Sequence, residues 1–218
     1  MTSRRLDIAA ERLPRWAGGF RERHGEPEAV SDSLEQIEFA SPDGTRVVLH
    51  ARFPADFDPS QQDGGMPDWA TAVQLVVQNA AASRALAVLL IRRNGYAVAQ
   101  MTAGRVTASK VGSAYVQGRT AAGGWSQQRF ARRRDQQVQG LLGSAAEVAS
   151  RILIPVQAQF LVTGGDRDLI ERLLAHSRLA SLASLPRGPH LEVGDPRNDD
   201  VIALPERIRR VRLRLDQP

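Results

Sequence analysis

The sequence predicts an α/β (α+β) fold, a mixed central sheet flanked by helices, on three observations. Leu86-Ala87-Val88-Leu89-Leu90-Ile91 is a short continuous apolar run of the kind found in a strand covered on both faces. Asn94-Gly95 and Gly104-Arg105 then supply turns that return the chain through Tyr96, Val98 and Met101 and again through Val106 to Val116, as a meander. Beyond it, Phe130, Val138, Leu141, Leu142, Ala145, Val148, Ala149 and Ile152 recur at spacings of three, four or multiples of a turn, which predicts a long amphipathic helix with Ser126 as its N-cap.

The other elements follow in order. Residues 4 to 23 carry Leu6, Ala9, Ala10, Leu13, Ala17 and Phe20 at helical spacing and predict a helix packed on the body, interrupted at Pro14 and weakened at Gly18-Gly19. Ile37 to Ala40, Ser41-Pro42-Asp43-Gly44 and Val47 to Phe53 read as strand, tight turn and strand. Pro54 to Asp68 is rich in Pro, Asp, Gly and Gln and is expected to be an exposed connection. The Ala-rich stretch 70 to 83 fits helix and loop equally. Gln159 to Thr163 predicts a core strand, and Gly164-Gly165-Asp166 opens a helix whose Leu169, Ile170, Leu173 and Leu174 face inward. Pro186 to Pro196 reads as loop. Val211, Leu213 and Leu215 alternate with Arg210, Arg212 and Arg214, as expected of a closing edge strand with charge on its outer face. With no repeat or low-complexity linker, residues 1–218 are expected to form one domain. Residues 1–68 would hold the N-terminal helix, hairpin and exposed connection, and 84–218 the core.

Composition removes several classes of function. The chain has no cysteine, and His24, His50, His176 and His190 lack ligand-like spacing, so neither a disulfide nor a metal site is expected. The N-terminal stretch lacks the apolar run of a signal peptide, and no run of about 18 apolar residues predicts a membrane span. The expected location is the cytoplasm, with no membrane partner. The net charge of +5 conceals a segregation: Trp69 to Arg134 holds no Asp or Glu but nine Arg and the lone lysine, Lys110, so this third carries +10 and the rest −5. Codon bias can explain arginine over lysine, but not the missing carboxylates. A concentrated basic segment of this kind suits a polyanion.

Within that third, residues 117–134 combine Gly123-Gly124, Trp125, Ser126, Gln127, Gln128 and four arginines in six positions, Arg129, Arg132, Arg133 and Arg134. Glycines admit close backbone approach, arginines offer bidentate phosphate contacts, and a glutamine amide orients water. The stretch holds neither the converging carboxylates of a metal-dependent nuclease nor the ligands of a zinc hydrolase, and no G-x-S-x-G supports a Ser-His-Asp hydrolase. Asp166, Asp168 and Glu171 sit at helical spacing beside Arg167 and Arg172, as on a solvated face. Gly164-Gly165 lacks a Walker lysine and is expected to be an ordinary strand-to-helix turn. Glutamine is a weak base, so catalysis by Gln127 requires an activated ester and a larger assembly that completes the site.

Gly95-Tyr96-Ala97, Gly104, Ser109-Lys110, Tyr115-Val116, Gly118-Arg119-Thr120, Gly123-Gly124-Trp125-Ser126-Gln127, Arg129-Phe130 and Arg132-Arg133-Arg134 together resemble the bacterial, actinobacterial-type branch of the Vms-type release factor family. These are peptidyl-tRNA hydrolases related to the middle domain of eukaryotic and archaeal release factors. The resemblance implies a core similar to the ribonuclease H-like fold and a metal-independent ester hydrolysis without cofactor. It implies peptidyl-tRNA and ribosomal RNA of the large subunit as partners, in the rescue of stalled ribosomes, with no DNA. Gln127 matches the family's catalytic glutamine, with Ser126, Gly123 and Gly124 in the same segment. Because Trp125 and Ser126 separate Gly-Gly from the glutamine, Gln127 and Gln128 both stay open; Gln127 is favoured because a small residue precedes it. Lys110, Arg119, Arg129, Arg132, Arg133 and Arg134 would hold phosphates. Trp125 would either stack on a terminal base or fold back onto its loop. The competing reading is a noncatalytic RNA- or ribosome-binding module.

Overall fold

The computed structural model describes residues 2–59, 65–113 and 125–218, with the backbone alone for 125–131 and 134. In chain order the elements are β1 (Thr2–Ala9), α1 (Leu13–His24), β2 (Glu28–Asp32), β3 (Gln36–Ala40), β4 (Arg46–His50), α2 (Trp69–Ala81), β5 (Leu86–Arg92), β6 (Gly95–Thr102) and β7 (Arg105–Ser113). They continue as α3 (Trp125–Leu153), β8 (Phe160–Gly165), α4 (Arg167–Leu174), α5 (Ala180–Ala183), β9 (Arg187–Leu191), α6 (Asn198–Ile202), α7 (Leu204–Ile208) and β10 (Arg210–Gln217). The fold is mixed α/β, with two five-stranded sheets in the orders β1-β10-β4-β3-β2 and β7-β6-β5-β8-β9. By compactness the chain divides into one unit of residues 1–82, 187–189 and 206–218 and another of 83–186 and 190–205.

In the first unit the expected helix from residue 4 is replaced over its first part by a strand. Leu6 and Ile8 alternate with Arg5 and Asp7, and β1 pairs antiparallel with β10 from Thr2↔Gln217 to Ala9↔Arg210. Pro14 accordingly begins α1 instead of interrupting it, where its missing N–H costs nothing. β10 is not an edge strand either, since β1 lies on one side and β4 on the other. The expected β3–β4 hairpin is present, closed by Gly44 at φ 84°. Asp68 accepts from the Thr71 N–H at 2.7 Å and caps α2, which settles residues 69–81 as helix. Phe20, Phe39 and Trp69 interlock at centroid distances of 5.1 to 5.4 Å. The stretch after β4 is less exposed than expected: Phe53 and Phe57 are buried, and the Asn79 side chain accepts from the N–H groups of Arg52 and Phe53.

In the second unit β5 is the central strand, antiparallel to β6 and parallel to β8, and buried on both faces from Leu86 to Ile91. Ala87, Leu89, Ile91, Tyr96 and Val98 form a core with α3 and α4, including Leu141, Ala145, Leu169 and Leu173. The β5–β6 turn is Arg93-Asn94, one residue earlier than expected, because Gly95 is already paired with Arg92. Residues 187–191, expected as loop, form β9; its Gly and Pro are tolerated at the edge of a sheet. The β6–β7 turn is Ala103-Gly104, with φ of 51° and 73°. Alanine in left-handed backbone is strained, and asparagine is the residue this turn prefers. Ala103→Asn is expected to stabilise the protein by about 1 kcal/mol, read as a rise of about 2 to 4 °C in melting temperature.

Candidate functional site

The β6–β7 hairpin precedes the Gly-rich segment in the chain. Across it Val98 pairs with Lys110 and Tyr96 with Gly112, so these residues share the sheet face that carries α3. Lys110 is exposed on the edge strand. Gly112 is a packing requirement: a Cβ there would fall inside the Tyr96 ring. Gly95 is similarly constrained, its Cβ position lying 2.9 Å from the Gly112 carbonyl oxygen. Burial, followed by the nearby Glu147 carboxylate on α3, pushes the Tyr96 phenol above its usual range. The hairpin end is therefore locked one residue before β7 terminates at Ser113. Gly112→Ala is expected to cost about 1 to 3 kcal/mol through displacement of the Tyr96 ring. Denaturant unfolding checks this, and the cost of Gly112→Ala should be smaller when it is made in a Tyr96→Ala background, where the ring is absent.

α3 starts at Trp125, so Ser126 lies inside the helix and is not its cap, and Gln127 belongs to the first turn. N–H groups in that turn have no intrahelical acceptor and sit at the positive end of the helix. Arg132, Arg133, Asp135 and Gln136 are exposed, and Val138 is the first buried side chain among those described. The thirteen residues from Trp125 to Gln137 span about 20 Å of helix before that point. From Val138 onward the helix packs over β6 and β7. Its N-terminal end thus carries Arg132 and Arg133 ahead of the core, on the element that follows the basic hairpin.

Of the residues expected to form the site, Lys110, Arg132 and Arg133 are fully placed. Trp125, Ser126, Gln127, Arg129 and Arg134, with Gln128 and Phe130, are placed by backbone on α3. Arg119, Gly123 and Gly124 fall outside the described residues. Two basic residues of the acid-free third have structural roles. Arg84 is buried with its guanidinium 5.5 Å from the Phe160 ring centroid, and Arg92 donates to the Val193 carbonyl at 2.9 Å.

The other candidate chemistries have ordinary structural explanations. Gly165 adopts φ 92° and a Cβ there would collide with the Ile91 carbonyl, so close strand packing accounts for Gly164-Gly165. Asp166 accepts from the Leu169 N–H at 3.2 Å as the cap of α4, and Asp168 pairs with Arg172 at 3.7 Å on an exposed face. Among the described residues no group of three or more His, Asp or Glu is placed to hold a metal ion. No helix there is long and apolar enough to cross a membrane.

A model of the family described as Actinobacteria/chloroflexi VLRF1 release factor matches residues 84–214. No curated protein matches the chain. Among solved structures, it is similar to an archaeal translation termination factor, aRF1, at 14% identity and TM-score 0.40, covering 77% of this chain and 49% of the other. A second structure, an archaeal protein, is similar at 11% identity and TM-score 0.36, covering 76% and 48%. The chain spans about half the length of these structures.

Proposed function

The chain belongs to the Actinobacteria/chloroflexi VLRF1 release factor family, and from that premise we propose that it hydrolyses the ester of peptidyl-tRNA on stalled ribosomes or their large subunits. The family match carries this reading. The position of the basic residues supports it: the acid-free third runs through an edge hairpin into a helix end that stands ahead of the core.

In the proposed reaction Lys110, Arg119, Arg129, Arg132, Arg133 and Arg134 bind phosphates of the tRNA acceptor stem or ribosomal RNA and fix the register. The Gln127 amide places a water against the ester carbonyl, and N–H groups of the first turn of α3 stabilise the developing oxyanion. The water oxygen bonds to the carbonyl carbon, the ester C–O bond breaks, and the 3′-oxygen leaves with a proton. The products are a peptide carboxylate and a free tRNA hydroxyl. No titratable side chain of the enzyme need change charge, so the assembly around the ester supplies the proton path.

The test is peptide release from stalled large subunits, intact stalled ribosomes and free peptidyl-tRNA. Release in any of the three supports hydrolysis and identifies the substrate context. Binding to all three without release would assign the chain to the noncatalytic class.

A further inference from the structure

We propose that the first unit carries a second RNA contact, a cleft beside α1 that takes one base of a single-stranded RNA against Trp16, with the two phosphates that flank its nucleoside on Arg12 and Arg15. This contact is separate from the reaction at the α3 end. Arg12, Arg15 and Trp16 also lie outside the segment that matches the release factor family, residues 84–214.

The cleft has a volume of about 880 Å³, and all the residues that line it belong to the first unit. It is lined by Arg12, at the N-cap position of α1, and along α1 by Arg15, Trp16, Gly19 and Arg23, which share one side of the helix. The adjoining side, Leu13, Ala17 and Phe20, is buried in the core. Trp16 is half-buried and stacked on Phe20 at 5.4 Å, with Trp69 at 6.5 Å, so the indole is a supported wall. Gly19 leaves the floor open, its Cβ position meeting only the end of Arg23 at 3.5 Å.

The charges around this cleft are unequally satisfied. Asp7 and Glu206 are already engaged, by Arg212 at 3.6 Å and Arg210 at 3.3 Å. Arg12, Arg15 and Arg23 are exposed and have no acidic partner among the described residues. Three unneutralised guanidiniums beside an aromatic wall suit phosphate and base together. Glu11, also in the lining, is an acceptor for a hydroxyl or amino donor, which a nucleotide has and a simple polyanion lacks. A lone phosphate would fill little of a cleft that lies in the size range of small-molecule sites.

The full chain with Trp125→Phe keeps two indoles, buried Trp69 and half-buried Trp16, so quenching of its fluorescence by a short oligoadenylate reports on Trp16. Saturable quenching is expected. Arg12→Glu with Arg15→Glu should weaken it by about tenfold or more and make the log-log salt slope shallower by about 1.4, for two single-strand phosphate contacts. Gly19→Leu should abolish the quench by filling the floor, without lowering the melting temperature, because leucine is the better helix former. Absence of quenching, quenching unaffected by these changes, equal binding of adenosine monophosphate, or equal binding of oligoglutamate would each overturn the proposal. Absence of peptide release by the unsubstituted chain, with this quench present in the Trp125→Phe protein, would count against the proposed hydrolysis alone, so the two ideas fail separately.

Discussion

Gln127→Ala is expected to lower the rate of peptide release by about 10²- to 10³-fold, the usual cost of removing one oriented donor from a site that stabilises developing charge. Binding to the stalled particle should be nearly unchanged. The substitution separates chemistry from folding because Gln127 is helical, in the first turn of α3, and alanine is the stronger helix former. Gln128→Ala is the matched control: it removes the same amide one residue along the same turn. If Gln127 positions the water, Gln128→Ala should retain most of the activity. If only Gln128→Ala abolishes release, the assignment moves by one residue. If the double variant still releases peptide at the wild-type rate, the amide mechanism is wrong. Transition-state stabilisation also predicts a fall in kcat, with KM little altered.

The elements legible in the sequence are those whose determinants are local. β5 is a continuous apolar run, α3 repeats its buried positions every three or four residues, and Asp166 announces α4 with a side chain that caps it. The errors lie where distant segments decide. Leu6 fits a helical stripe with Ala9, Ala10 and Leu13, and fits an alternating strand with Ile8 equally well; pairing with β10 at the far end of the chain selects the strand. The same pairing moves β10 from the edge to the interior of its sheet. β9 contains Gly188 and Pro189, and only its place beside β8 makes that composition acceptable as a strand.

For the site, the sequence lists residue types without their geometry. The absence of carboxylates from Trp69 to Arg134 is visible by counting, and it is one ground for the proposed phosphate contacts. Counting does not separate Arg84 and Arg92, which hold the second unit together, from Arg132 and Arg133, which are exposed on α3. Nor does it show that Gly112 is glycine to admit the Tyr96 ring, a cross-strand requirement with no local signature. The Arg12–Trp16–Arg23 cleft has no local signature either, since Asp7, Ile8 and Ala9 of β1 and the distant Glu206 and Arg210 complete its walls.

Arg132→Glu with Arg133→Glu is expected to weaken ribosome or tRNA binding by about tenfold or more and to make its log-log salt slope shallower by about 1.5 to 2, for two lost phosphate contacts. Both side chains are exposed, and glutamate is a good helix former, so α3 should survive the reversal. The contacts proposed for these arginines exist before and during ester cleavage. Their loss should therefore raise KM and leave kcat at saturation close to wild type, the opposite division from Gln127→Ala. A salt slope identical to wild type would mean that Arg132 and Arg133 do not touch phosphate. An unchanged slope with a lower kcat would place them instead beside the reacting ester, as cationic donors to the oxyanion.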